Sequence, residues 1–126
     1  MKFQEQLIKL SKFFPVAIRK KMPAEIHIVW VSIAASRRLN RLYRKKDKPT
    51  NVLSFRYGAE YGELLLCRPV VQREARAAGA AFHAQMTWMI VHGMLHLAGI
   101  HHEASAQAER RFEKIEEEVM RKMTNF

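Results

Sequence analysis

Four of the six histidines in this 126-residue chain fall within the eleven residues from 92 to 102, and this cluster is the part of the sequence best suited to chemistry. His92 and His96 lie four positions apart in a segment with a helical pattern. That spacing puts both imidazoles on one face of a helix, with Cβ atoms about 5–6 Å apart. Two imidazole nitrogens so placed can each bind one shared Zn²⁺ at about 2.0–2.1 Å. The spacing therefore predicts a metal site.

A third imidazole follows directly after the predicted helix. Gly99 stands where a left-handed residue ends a helix, and His101 or His102 then returns toward the pair. Three imidazoles and a water form the open coordination of catalytic zinc, whereas structural zinc is closed by four protein ligands. A helical histidine pair alone often arises by chance, so the third histidine is what favours a metal site. His27 and His83 have no such neighbours and are expected to be a strand residue and a surface residue.

The residue after the first histidine separates two classes of zinc hydrolase. In peptidases with an H-E-x-x-H motif, that residue is the glutamate that serves as general base. Here it is Gly93, so the predicted ligands are present without that base. A peptidase that uses this glutamate is therefore disfavoured. A metallohydrolase of another substrate remains an alternative, and this includes peptidases without that motif.

Charge indicates the kind of partner. Lys and Arg total 22 against 12 Asp and Glu, which gives a net charge of +10 and a surface suited to polyanions such as nucleic acid. Between 37 and 48 the sequence has one acid and seven cations: Arg37, Arg38, Arg41, Arg44, Lys45, Lys46 and Lys48. The last predicted helix instead carries five glutamates between 109 and 118. The basic side is the candidate binding surface; a basic protein without an anionic partner is the alternative.

Apolar periodicity predicts an α+β fold to position these residues. Helices are predicted over 2–20 with a break at Pro15, and over 36–44, 69–78, 82–98 and 104–123; strands are predicted over 25–32, 51–57 and 63–67. We expect one domain over 1–126, with a small mixed sheet of three or four strands surrounded by about five helices. His92 and His96 then belong to the helix over 82–98.

The cysteine content and the apolar runs indicate the expected cellular compartment of the protein. The single cysteine, Cys67, excludes an intramolecular disulfide, fits a reducing cytoplasm and lies in an apolar run that predicts a buried thiol. Residues 1–5 lack the charged start and apolar stretch of a signal peptide. No apolar run approaches the roughly 20 residues of a membrane span. A soluble cytoplasmic protein without a membrane partner is expected.

Residues 92–102 form the sequence HGMLHLAGIHH, and residues 39–55 form LNRLYRKKDKPTNVLSF. These two blocks closely resemble H-G-x-L-H-L-x-G-Y-D-H and L-N-x-x-Y-R-x-K-D-x-P-T-[DN]-V-L-S-F, two signatures of the YbeY family of bacterial endoribonucleases and ribosomal RNA maturation factors. Residues 62–64, Gly-Glu-Leu, match that family's L-G-D-I segment loosely. The resemblance covers about residues 39–103. It implies that His92, His96 and His102 bind one metal ion, expected to be one Zn²⁺ per chain, and that Arg44 belongs to the RNA-cleaving site.

Four departures from the family pattern concern the site. His101 and Ile100 replace an aspartate and a tyrosine, so His101 either competes with His102 for the ion or supports a ligand from outside the coordination sphere. Glu63 replaces an aspartate and keeps its charge on a longer arm. Trp88 stands one turn before the first ligand, where relatives often carry another histidine. The chain opens on a predicted helix, without the family's first strand, which favours the smaller of the two predicted sheets, with three strands.

The resemblance implies metal-dependent hydrolysis of single-stranded RNA. The expected substrates are rRNA precursors, and the expected processes are ribosomal RNA maturation and ribosome quality control. Small-subunit ribosomal proteins are expected as further partners. Arg44 would donate to a phosphate and stabilise the charge of the transition state. Glu63 and His101 are two unranked candidates for the general base. Tyr57 and Tyr61 are candidates for stacking on unpaired bases, or else loop packing. A ribosome-associated RNA-binding module with a structural zinc is the alternative.

Overall fold

The computed structural model describes residues 3–124. Its elements are α1 Phe3–Ser11, α2 Val16–Arg19, β1 Glu25–Trp30, α3 Ile33–Arg44, β2 Val52–Tyr57, β3 Tyr61–Leu66, α4 Arg68–Ala78, α5 Phe82–Leu97 and α6 Ala106–Thr124. This confirms the predicted α+β class. Residue 2 of the predicted first helix, and residues 1, 2, 125 and 126 of the predicted single domain, lie outside the described part of the chain.

The three strands form one mixed sheet in the order β1-β3-β2. β1 runs parallel to β3, with Glu25 opposite Tyr61, and β2 runs antiparallel to β3, with Val52 opposite Leu66. A short turn joins β2 to β3, and Gly58 adopts φ 77° there, a left-handed conformation that glycine adopts without strain. Of the three or four strands predicted, the described residues form three, and β2 is an edge strand of their sheet.

Helix α5 lies directly on one face of this sheet. Burial alternates along β3, with residues 62, 64 and 66 buried and residues 61, 63 and 65 half-buried on the other face. A Cβ atom at Gly93 would lie 2.6 Å from Leu64 Cδ2 and 3.2 Å from Ser54 Oγ, so only glycine lets the helix approach this closely. The Ser54 hydroxyl donates to the Gly93 carbonyl at 3.2 Å. Gly93, which follows His92, therefore allows α5 to pack this closely against the sheet.

The hydrophobic core surrounds α5, which is apolar on nearly every side. Its buried side chains contact the sheet, α4 and α6; they include Met86, Met89, Ile90, Val91, Met94, Leu95 and Leu97. From α6, Phe112, Ile115 and Val119 supply the facing apolar stripe. Cys67 is fully buried, as predicted. No helix among the described residues has the length and apolar character that a membrane crossing needs.

Several boundaries differ from the predicted ones, and the structure explains two of these differences. α3 begins at Ile33, three residues early, because the Ser32 hydroxyl accepts from the Ala35 amide at 3.1 Å and caps the helix. β3 begins at Tyr61, so Gly62 belongs to the strand and not to the loop. A Cβ at Gly62 would lie 2.9 Å from Pro23 Cγ, which shows that its role is close packing.

Candidate metal centre

Three histidines converge where α5 ends. The ligand atoms of His92, His96 and His102 all lie within 4.8 Å of one another. The Nε2 atoms of His92 and His96 are 3.2 Å apart. Two nitrogens bound tetrahedrally at about 2.0–2.1 Å would be about 3.3–3.4 Å apart, so the helix already holds this pair at nearly the separation that a metal ion requires. The residues present fit a metal ion with three imidazole ligands and an open position.

The chain reversal after α5 brings in the third histidine. Gly99 adopts φ 82°, and the amides of Gly99 and Ile100 donate to the carbonyls of His96 and Leu95 at 2.9 and 3.0 Å. These bonds satisfy the last carbonyls of the helix and turn the chain back over it. Ile100 packs against the core, which anchors the loop that carries His102.

Phe112 of α6 forms the floor of the site. Its ring centroid lies 4.9, 5.2 and 5.0 Å from those of His92, His96 and His102. Phe112 is 1% exposed, so its fixed ring limits the movement of all three imidazole rings on the side that faces the core. Phe112 lies in the helix predicted over 104–123, but that prediction did not indicate that the helix reaches the histidines.

The nitrogens that face away from the centre have partners of their own. His92 Nδ1 lies 3.0 Å from Glu116 Oε2, and the Trp88 indole donates to the same oxygen at 3.1 Å. His96 Nδ1 lies 3.3 Å from His101 Nδ1. Both helical histidines thus present Nε2 to the centre while Nδ1 is engaged outside it, the arrangement that orients metal-bound imidazoles.

Burial keeps His96 neutral. Desolvation, followed by repulsion from His92, His102 and His101, lowers the pKa of His96 from 6.5 to about 4. A neutral imidazole has the free lone pair that a metal ion requires. His96 can therefore bind a metal ion at neutral pH without first losing a proton.

A cleft of about 480 Å³ leads from the histidines around the edge strand β2 to the end of α3. Arg44 lines its far wall, and Tyr43 and Phe55 line it beside Arg44 with their rings edge-to-face at 4.9 Å. Glu103 lies between the two walls, with Oε1 3.9 Å from both Arg44 Nη2 and His102 Nε2. The structure thus brings Arg44 and the three histidines to one cleft.

The family model described as endoribonuclease YbeY matches residues 1–124 of this chain. The chain belongs to the YbeY family. Endoribonuclease YbeY of Methylibium petroleiphilum is 47% identical over 103 residues, which are 79% of this chain and 68% of that protein. The protein of the same name from Aromatoleum aromaticum is 48% identical over 100 residues, and that from Aquifex aeolicus is 38% identical over 94 residues. These two matches cover 64% and 63% of the relatives' length, so the chain spans slightly less than two thirds of each.

A solved structure shares the fold. The solution structure of TM1509 from Thermotoga maritima matches with a TM-score of 0.61 at 26% identity, covering 99% of this chain and 88% of that one. The predicted YbeY family and the α+β fold are thus confirmed. The family is named for endoribonuclease activity, which is hydrolysis of internal phosphodiester bonds in RNA.

The second YbeY motif, residues 39–55, includes the loop that joins α3 to β2, and side-chain contacts hold this loop in place. The Asn40 side chain donates to the Lys48 carbonyl at 2.8 Å, and the Ser36 hydroxyl pairs with the Thr50 backbone at 2.9 Å. Arg37 donates to Asp47 at 2.9 and 3.1 Å and thereby lowers the pKa of that carboxyl. These contacts hold the loop against α3, and Arg44 is the last residue of that helix.

Glu63 lies away from the histidines. Because side chains alternate along β3, Glu63 projects from the sheet face opposite to the one that α5 covers. There it accepts hydrogen bonds from the hydroxyls of Tyr57 and Tyr61 at 3.1 and 3.0 Å. The bond to Glu63 raises the pKa of Tyr57, and loss of solvation, together with the bond to Glu63, raises the pKa of Tyr61. The two tyrosines are strand residues and do not pack in a loop. The structure therefore does not bring Glu63 to the cleft as a general base.

The remaining histidines occupy three different surroundings. His101 is exposed, and its Nδ1 atom lies 3.3 Å from His96 Nδ1, outside the group of three histidines whose ligand atoms converge. His27 is an exposed residue of β1, and His83 is exposed at the start of α5, where it bonds to Gln6 at 3.0 Å. Both therefore lie where the sequence predicted a strand residue and a surface residue.

Proposed function

We propose that this chain is a zinc-dependent endoribonuclease that cleaves single-stranded RNA. The observation that carries the proposal is the placement of three imidazoles, spaced for one metal ion, in the same cleft as Arg44. YbeY family membership supports RNA as the substrate. Zinc is the preferred ion because three imidazoles with an open position are its usual catalytic ligand set.

When bound, a Zn²⁺ would lower the pKa of a coordinated water to about 7 and polarise a phosphoryl oxygen. The chain's own residues hold and orient the RNA. Arg44 offers a planar set of donors that fits a phosphate and stabilises negative charge in the transition state. Its present partner, Glu103, is 65% exposed and 3.9 Å away, a pair weak enough for a phosphate to displace.

The aromatic rings beside Arg44 support a single-stranded substrate. Tyr43 is 61% exposed and lines the cleft with Phe55. Bases of an unpaired strand can stack on such rings, whereas bases inside a duplex are already stacked on each other. The other basic residues of 37–48 lie on the same helix as Arg44 or directly after it, and they suit the phosphate backbone on either side of the cleavage point.

Ribosomal RNA precursors are the proposed natural substrate, with maturation and quality control of ribosomes as the process and small-subunit ribosomal proteins as partners. These roles, and a cytoplasmic location, rest on the YbeY resemblance and on the single cysteine. Cleavage of a precursor rRNA fragment at defined positions by the purified chain would test the first of them.

The experiment that tests the activity compares cleavage of one labelled RNA oligonucleotide in single-stranded and duplex form, with and without chelator. His27→Ala is a matched control for His92→Ala, because both remove one imidazole but His27 lies outside the cleft. We expect cleavage of the single strand by the parent and by His27→Ala, and none by His92→Ala or after chelation. Cleavage that persists in His92→Ala would contradict the proposal, and RNA binding without any cleavage would favour the binding module.

A further inference from the structure

Glu116 is buried where its helix is otherwise apolar. It is 6% exposed and follows Phe112 by four residues, so it lies on the face of α6 that packs against α5. The neighbouring Glu113 and Glu117 are exposed. An unpaired carboxylate costs several kcal/mol when it leaves water, so a buried one requires strong partners.

Both of its partners on α5 contact the same carboxylate oxygen. Trp88 and His92 are four residues apart, and their Nε1 and Nδ1 atoms lie 3.1 and 3.0 Å from Glu116 Oε2. An indole nitrogen can only donate, so this oxygen must accept there. An ionised carboxylate has no proton to offer, so it accepts from His92 as well, and the His92 proton is then on Nδ1.

The position of this proton determines what the opposite nitrogen can do. With Nδ1 protonated, neutral His92 has its lone pair on Nε2, which is the atom 3.2 Å from His96 Nε2. A carboxylate behind an imidazole also fixes the rotation of the ring. Trp88, one turn before His92 on α5, donates to the same carboxylate and holds it in place.

We propose that Glu116, held by Trp88, is a positioning residue that keeps His92 in the Nδ1-protonated form and aims its Nε2 at the metal ion. This role rests on the metal centre of the proposed function. Glu116 contacts neither RNA nor the ion; it acts through His92. Its loss should weaken metal binding about 10–100-fold, the usual effect of removing a partner of a metal-bound histidine.

The test measures Zn²⁺ affinity by competition with a chromophoric chelator, and the His92 tautomer by ¹⁵N NMR of the metal-free protein. Glu116→Gln keeps the shape and removes the charge, while Glu116→Leu suits the apolar stripe of α6 if the first variant is unstable. Glu117→Gln is the matched control on the same helix. We expect weaker zinc binding and a mixed His92 tautomer in both Glu116 variants, with parental values in Glu117→Gln.

Trp88→Phe separates the two partners, because it removes one donor and leaves the carboxylate. We expect a smaller loss of zinc affinity than in Glu116→Gln, with His92 still protonated mainly on Nδ1. Parental zinc affinity and tautomer in both Glu116 variants would overturn the positioning role while leaving the nuclease intact. A parent chain that does not bind zinc would overturn the metal centre and this role with it.

Discussion

Gly93→Ala tests whether α5 approaches the sheet as closely as the structure shows. The added Cβ would lie 2.6 Å from Leu64 Cδ2, and Leu64 is fully buried, so neither group can move freely. Overpacking of this kind costs about 1–3 kcal/mol, whereas alanine improves helix propensity by about 1 kcal/mol. We expect a net loss of up to about 2 kcal/mol in the free energy of unfolding.

A double-mutant cycle identifies the source of this loss. Leu64→Val removes the Cδ atoms that the new Cβ would meet, so in that background Gly93→Ala should be neutral or stabilising by up to about 1 kcal/mol. Urea denaturation of the four metal-free proteins measures both effects. An equal cost of Gly93→Ala in both backgrounds would refute the close-contact explanation.

Three further predictions concern the cleft and its ligands. Arg44→Ala should bind RNA almost as well as the parent but cleave it about 10²–10³-fold more slowly, measured by anisotropy and by rate on one oligonucleotide; a parental rate would remove Arg44 from the mechanism. Replacing Arg41 and Lys45 together by alanine should weaken binding to all sequences alike and flatten its salt dependence, by about 0.7 in log–log slope per lost phosphate contact. His102→Ala should abolish zinc binding, whereas His101→Ala should weaken it only about 10–100-fold; the reverse order, seen in the same chelator competition, would mean that His101 is the ligand.

The parts of the fold that the sequence predicted well are those with local causes. Gly99 adopts φ 82° after α5, as its position at the end of the predicted helix indicated, and Gly79 adopts φ 66° directly after the helix that was predicted to end at residue 78. Pro15 separates α1 from α2 as expected. The i and i+4 spacing of His92 and His96 likewise placed them together without tertiary information.

The parts that were missed depend on contacts between distant segments. Helix α3 was predicted to begin at residue 36, but Ser32 caps it, and the Ser36 hydroxyl inside the helix bonds to Thr50 across the loop. Glu63 matched a family segment, but sheet register decides which face it occupies, and that face is opposite to α5.

Glu116 was missed for the same reason. In the sequence it is one of five glutamates of an acidic helix, and charge alone predicts that it is solvated. Its i+4 relation to Phe112 was the available signal, because it puts a carboxylate on the apolar stripe. Only the packing of α6 against α5 shows that this stripe lies behind His92.

Titration of the metal-free chain with zinc, followed by its RNA cleavage rate, tests the central claim most directly. If His92, His96 and His102 hold the one ion that the reaction needs, activity should rise in proportion to added zinc and level off at one equivalent per chain. His96→Ala should show no such rise. Full cleavage before any zinc is added, or an unchanged titration in His96→Ala, would contradict the claim.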